Sequence, residues 1–290
     1  IIAEAGINHN GSIKKALKMV EIAKESKADA IKFQTYSSDG FISNKNKKYK
    51  YKIKDKLIAE STYSIFKRCE LSINDWKKIK KKCHKEKIIF LSTPSSYDDL
   101  KLLMKLKVPA IKIGSDDFNN IPLIQSVVKS KLPLILSSGM STLKEIETTL
   151  KYSGALKGYP VILMLCVSNY PTNPINVNIK RLGYLKNKYP NLKLGFSDHT
   201  QGSSAASLAI AFGARCFEEH FTLNNSDKGP DHWFSENKES LSFWVKTIQA
   251  SFLMLCKSKL FPVKSEIKMR DLARKSIVAS EDIEKGDKIS

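Results

Sequence analysis

The chain is poor in cysteine and in arginine and has no long apolar run. Its five cysteines, Cys69, Cys83, Cys166, Cys216 and Cys256, are scattered, and no two have C-x-x-C spacing. That pattern argues against a disulfide framework or zinc cluster and predicts free thiols in a reducing cytosol, so a cytoplasmic location is expected. No apolar stretch approaches the ~20 residues of a membrane span. No charged region precedes Ile1-Ile2-Ala3 as it would in a signal peptide, and no initiator Met is present, so the natural start is expected to lie further upstream. No G-x-G-x-x-G follows the first apolar stretch, which argues against a dinucleotide-binding fold.

Arginine occurs only at Arg68, Arg181, Arg215, Arg270 and Arg274, so the net charge of +20 is nearly all lysine. Nucleic-acid readers lean on arginine and interleaved aromatics. Here lysine is spread over many segments, densest in Lys45–Lys56. A solvated basic surface is expected, with no nucleic acid and no membrane as partner, and a field that draws in anionic substrates.

What is present is a recurring unit: a short apolar strand, a polar turn, then an amphipathic helix. Strands are predicted at Ile1–Ala5, Ala30–Gln34, Ile88–Ser92, Ala110–Gly114, Leu134–Ser137, Ile162–Cys166, Lys193–Phe196 and Cys216–His220. Helices are predicted near 13–26, 73–86, 97–106, 121–130, 142–152, 176–188, 202–212 and 238–256. This alternation predicts an α/β (β/α)8 TIM barrel over 1–260, with a doubly wound open sheet as the alternative. The insert from Tyr36 to Glu70 is long for a βα loop and is expected to form a lid or a subunit contact.

In such a barrel the C-terminal strand ends share one mouth. Two apolar strands end there in histidine, His199 in LGFSDHT and His220 in CFEEHFT, with Asp198, Glu218 and Glu219 beside them. Two imidazoles with carboxylates and water suit one divalent ion such as Mn²⁺, Fe²⁺, Co²⁺ or Zn²⁺; the bland reading is two strand caps bound to backbone. Lys32 and Lys112 stand inside apolar strands, Ala-Ile-Lys-Phe-Gln and Ala-Ile-Lys-Ile-Gly. A lysine buried there needs a partner, such as Glu4 or a bound phosphate or carboxylate. The hydroxyls of Thr93, Ser115, Ser137, Ser138 and Ser197 suit such an anion; a Schiff base on Lys112 is the alternative. The loop Asn225–Ser235 reads either as a surface turn or as a sugar-binding loop with Asp231 on hydroxyls.

Glu4-Ala5-Gly6-Ile7-Asn8-His9-Asn10-Gly11, Lys32-Phe33-Gln34-Thr35, Ser92-Thr93-Pro94, Lys112-Ile113-Gly114-Ser115, Ser138-Gly139-Met140, Tyr170-Pro171-Thr172, Gly195-Phe196-Ser197-Asp198-His199-Thr200, Glu219-His220-Phe221-Thr222 and Gly229-Pro230-Asp231-His232 follow in order. Over essentially the whole chain this series resembles the sialic acid (N-acetylneuraminate) synthase family, which includes legionaminic and pseudaminic acid synthases and a spore-coat polysaccharide protein. The resemblance implies condensation of phosphoenolpyruvate with N-acetylmannosamine or a related N-acyl hexosamine. A 2,4-diacetamido-trideoxy hexose is the alternative acceptor.

By the same resemblance, His199 and His220 hold the metal, most often Mn²⁺, with Mg²⁺ or Co²⁺ as alternatives. Lys32, Thr93, Lys112, Ser115, Ser138, Ser168 and Ser197 hold phosphoenolpyruvate. Glu4, Gln34, Asp117, Tyr170 and Asp231 face the sugar or the reacting centre, and Glu4, Lys32, Lys112 and Asp117 are the catalytic candidates. Ser115-Asp116-Asp117 departs from the family's Ser-Gly followed by an acid, and Ser168 stands where some members have Asn. The resemblance also implies that 275–290, after a linker at 261–274, opens a small antifreeze-like (SAF, β-clip) domain. In the family that domain reaches across a domain-swapped homodimer and supplies an arginine that this sequence lacks. Two other classes compete: a metal-dependent barrel hydrolase, opposed by the two strand lysines, and a non-catalytic polyanion-binding module.

Overall fold

In the computed structural model, which describes residues 1–54, 56–255 and 260–288, strands and helices alternate as the hydrophobic pattern predicts. The strands are β1 (Ile2–Gly6), β2 (Ala30–Thr35), β3 (Lys48–Ile53), β4 (Lys56–Ser61), β5 (Ile89–Pro94), β6 (Ile111–Ile113), β7 (Leu134–Ser137), β8 (Val161–Leu165), β9 (Lys193–Asp198) and β10 (Ala214–His220). Eight form one parallel sheet in the order β5-β2-β1-β10-β9-β8-β7-β6, and β3 and β4 form a separate antiparallel hairpin. The two ends of that order, β5 and β6, lie side by side, so the sheet curls into a near-barrel rather than the open doubly wound alternative.

The eight expected helices are present with small shifts at their ends. The one expected over 176–188 is broken into Pro174–Val177 and Lys180–Lys188. Asn178 between them takes a left-handed φ of 45°, which a continuing helix does not tolerate. Local caps set the starts: Ser72 with Asp75, and Thr142 with Glu145, each form a reciprocal capping box.

Side chains alternate across each strand, and this alternation builds the site. Ile2, Ala30, Leu91, Ile135 and Met164 pack together as an apolar floor. Two residues further along, the same strands place Glu4, Lys32, Thr93, Ser137 and Cys166 on the wall of a cavity above that floor. The outward set, including Ile31, Phe33, Phe90, Leu136 and Phe196, packs against the helices in the main core. At roughly 25 cal/mol per Å² of apolar area, this outer shell supplies most of the burial, leaving the inner face free for polar groups.

The insert is folded. Besides the hairpin it carries short helices at Ser38–Phe41 and Thr62–Cys69. Tyr36, Tyr51, Ile65 and Cys69 form a small core with Ile7, which follows β1. The chain divides into two units, Ile1–Met254 and Leu255–Ser290. Among the described residues of the second unit there is a 3-10 turn at Lys264–Glu266 and a helix at Ile267–Ala273, inside the stretch read as a linker, but no strand. The β-rich opening expected at 275–290 is not shown. Cys256 and the end of the helix expected to reach 256 lie outside the described residues. Among the described residues no helix is long and apolar enough to cross a membrane.

Candidate active site

A cavity of about 330 Å³ opens at the C-terminal ends of the strands. Its deepest polar layer is ionic. Lys32 and Lys112 are each 3% exposed, and the sequence puzzle of two lysines in apolar strands is answered by two glutamates. Lys32 Nζ lies 2.8 Å from Glu4 Oε1 and 3.7 Å from Glu218 Oε2, and Lys112 Nζ lies 3.6 Å from Glu218 Oε1. Lys32 also donates to Thr93 Oγ1 at 3.3 Å, and Ser197 Oγ donates to Glu218 Oε1 at 3.1 Å.

Burial disfavours the charge on Lys32, but Glu218 and Glu4 outweigh it and hold its pKa above the usual lysine value. Burial also pushes the Glu4 carboxyl up to about 7 against the pull of Lys32, whereas on Glu218 the two lysines overcome burial and hold the carboxylate low. Two neighbouring carboxyls driven apart in this way suit opposite proton-transfer roles. Glu218 stands beside an equally acidic Glu219. The period of two counted back from His220 selects Glu218.

Above this layer sit hydroxyls and sulfur. Ser115 Oγ lies 3.1 Å from Cys166 Sγ and accepts from the Gly139 amide at 3.1 Å. A Cβ on Gly139 would lie 2.4 Å from Ser168 Oγ, 2.6 Å from Ser115 Oγ and 2.9 Å from Cys166 Sγ, so three groups converge where only glycine fits. Ser168 Oγ and Ser137 Oγ are buried without a hydrogen-bond partner, as is Glu4 Oε2. Buried polar groups are rarely left unpaired, and two free hydroxyls in one cavity with two lysines call for an acceptor-rich guest.

The histidines come together as expected. His199 and His220 have ring centroids 5.5 Å apart, with the Tyr170 ring 4.2 Å from His199 and 5.7 Å from His220. His199 Nδ1 donates to the Val167 carbonyl at 2.7 Å, which leaves Nε2 with its lone pair. His220 Nδ1 is buried without a hydrogen-bond partner and lies 3.9 Å from Asp231 Oδ2. Burial lowers the pKa of His199 to about 4 and that of His220 well below its usual value, so both rings are neutral, the form that ligates metals. Burial pushes Asp231 up to about 6.

Of the residues singled out in the sequence, Glu4, Lys32, Gln34, Thr93, Lys112, Ser115, Ser168, Tyr170, Ser197, His199, His220 and Asp231 all line the cavity. Two do not. Ser138 turns back and donates to the Met164 carbonyl at 3.1 Å, while Ser137 faces the cavity. Asp117 accepts from Asn120 Nδ2 at 2.9 Å, and Asp116 takes the place on the wall. β6 ends at Ile113, so strand alternation no longer fixes which of two consecutive aspartates points in. The insert, expected from its length as a lid or a subunit contact, walls the mouth through Phe41, Tyr49, Thr62, Ile65 and Phe66.

The NeuB family profile matches residues 19–259. The chain belongs to the NeuB family. It is 36% identical to the N,N'-diacetyllegionaminic acid synthase of Legionella pneumophila, with 100% of this chain and 82% of that protein covered. It is 33% identical to a pseudaminic acid synthase of Campylobacter jejuni, over 100% of this chain and 84% of that one. The crystal structure of N-acetylneuraminic acid (sialic acid) synthetase from Leptospira borgpetersenii superposes with a TM-score of 0.81 at 34% identity, covering 95% of this chain and 92% of that chain. The NeuB-family chain is thus an enzyme of this class, and its barrel is the (β/α)8 type.

Proposed function

We propose that this enzyme condenses phosphoenolpyruvate with N-acetylmannosamine or a related N-acyl hexosamine, giving a nine-carbon nonulosonic acid and phosphate. The observation that carries the reading is the pair of buried lysines beneath two unpartnered serine hydroxyls, in one cavity with two neutral histidines. Lys32 and Lys112 neutralise the anionic oxygens of phosphoenolpyruvate, and Ser115, Ser137, Ser168 and Ser197 orient them. A hydrolase has no use for that cation pair.

The donor set fits a divalent ion, most often Mn²⁺. His220 Nδ1 is buried without a hydrogen-bond partner, and His199 keeps the Nε2 lone pair toward the Ser197 hydroxyl 3.4 Å away. Among the described residues no three His, Cys, Asp or Glu side chains form a ligating group, so this ion would rest on two histidines, with its other positions left for water and substrate. When bound it acts as a Lewis acid that polarises the sugar aldehyde.

Carbon 3 of phosphoenolpyruvate bonds to the aldehyde carbon, whose oxygen takes a proton. The positive charge that develops at carbon 2 is stabilised by the Glu218 and Glu4 carboxyls. Water adds at carbon 2, and the C–O bond to phosphate breaks, leaving the 2-keto acid. Glu4, its pKa near 7 and its Oε2 free, is suited to move a proton at neutral pH.

The mouth favours one acceptor branch. Phe41, Ile65, Phe66 and Tyr49 make its insert side largely apolar, which suits the methyl group of a 6-deoxy, diacetamido hexose over a C6 hydroxyl. In this reading the protein works in the cytoplasm as a homodimer, and 275–290 open the antifreeze-like domain. Incubation with phosphoenolpyruvate, Mn²⁺ and each candidate sugar, followed by mass spectrometry, tests the reaction. The nine-carbon 2-keto acid is expected, and its absence with every N-acyl hexosamine refutes the reading.

A further inference from the structure

Glu60 joins three separate parts of the chain beside the cavity without lining it. It lies on β4. Its Oε2 accepts from the Tyr51 hydroxyl on β3 at 2.7 Å. Its Oε1 accepts from Arg68 Nη1 on the helix Thr62–Cys69 and lies 3.4 Å from Lys228 Nζ, in the loop that carries Asp231. Burial raises the Glu60 pKa, but Tyr51, Arg68 and Lys228 outweigh it and hold the carboxylate below the usual range. The helix that carries Arg68 also packs closely on the loop after β1, where a Cβ on Gly11 would lie 2.1 Å from the Arg68 carbonyl oxygen.

What these partners carry does face the cavity: Tyr49, Thr62, Ile65 and Phe66 from the insert, Pro230 and Asp231 from the loop. The lysines and the Gly139 cradle belong to the barrel strands and their first turns. The cavity therefore has two walls with different anchors, and Glu60 anchors only the outer one.

We propose that Glu60 is a positioning residue for the acceptor sugar, fixing the insert against the Asp231 loop so that both contact the sugar in one geometry. This rests on the synthase reading above. A carboxylate shared by a tyrosine, an arginine and a lysine sets the spacing of three backbones at once, and small misplacements of such supports are felt in binding.

The test is steady-state kinetics of Glu60→Gln and Glu60→Ala, varying acceptor and phosphoenolpyruvate separately, with thermal unfolding as a folding control. The acceptor KM is expected to rise about tenfold in Glu60→Ala and less in Glu60→Gln, with kcat and the phosphoenolpyruvate KM within about twofold. If Glu60→Ala does not fold, Lys228→Met severs the tie to the loop from its exposed side, with a rise of about threefold in acceptor KM. An unchanged acceptor KM in folded variants, or equal rises for both substrates, overturns the proposal. A wild-type enzyme that releases no phosphate with any N-acyl hexosamine overturns the synthase reading and this inference with it. An active wild type with unmoved variants overturns only the inference.

Discussion

Glu4 and Lys32 are register partners on β1 and β2, and their charged groups meet 2.8 Å apart at the base of the cavity. The contact satisfies a lysine that the apolar context of β2 leaves without water, and it places a carboxyl where a proton is needed.

Replacing Lys32 with Met leaves Glu4 and Glu218 facing each other with only Lys112 nearby. Breaking a buried pair costs about 3–5 kcal/mol. Protonation relieves this repulsion, so the folded variant binds more protons than the unfolded chain and its deficit shrinks as pH falls. Urea unfolding at pH 8 and pH 5 is expected to show the larger loss at pH 8. The double variant with Glu4→Gln is expected to regain most of the stability and none of the activity.

Gly139→Ala fills the cradle. Its Cβ meets Ser168 Oγ, Ser115 Oγ and, at 2.9 Å, Cys166 Sγ. Titration calorimetry with phosphoenolpyruvate is expected to show binding weakened by about tenfold or more, and the unfolding free energy is expected to fall by about 1–3 kcal/mol, because the methyl forces these close-packed groups aside.

His9 and His232 tie the loop after β1 to the loop after β10. His9 Nδ1 accepts from the Gly11 amide within the first loop, His232 Nδ1 pairs with Thr222 Oγ1 at 2.7 Å within the second, and Asn10 Nδ2 donates to His232 Nε2 at 3.1 Å across them. Burial lowers each pKa from 6.5 to about 4. Between those values the unfolded chain binds more protons than the folded one. Their stabilisation is therefore full above about pH 6.5 and is lost as pH falls through about 4, at up to about 3 kcal/mol each. The unfolding free energy of the wild type relative to His232→Gln, which keeps hydrogen bonding but does not titrate there, is expected to fall between pH 7 and 4.5, since the raised Glu4 and Asp231 carboxyls act alike in both proteins.

His199→Ala and His220→Ala each remove one of two nitrogens from the proposed metal site. Titration with Co²⁺, followed by its visible absorption, is expected to show affinity reduced by about 10–100-fold or more in either variant. Wild-type affinity in both contradicts the assignment.

The sequence made the barrel legible because its strands are short, apolar and evenly spaced by amphipathic helices. Lys32, Lys112, His199 and His220 stood out as polar residues where an apolar strand has no use for them. Glu218 was hidden beside an equally acidic Glu219, and Asp116 beside Asp117. The hairpin was hidden in Lys48-Tyr49-Lys50-Tyr51-Lys52, whose lysines read as solvated charge. Its structural content lies in Tyr51, 2% exposed and bonded to Glu60 on the facing strand, a cross-strand contact that the run of lysines does not encode.

The most direct measurement is phosphate release from phosphoenolpyruvate by the wild-type protein, with Mn²⁺ and the acceptor each present or absent. The account predicts release only when both are present, with N-acetylmannosamine or a diacetamido-trideoxy hexose as acceptor, and none from His220→Ala. Release without any sugar, or silence with every aldose from a folded, metal-loaded protein, would contradict it.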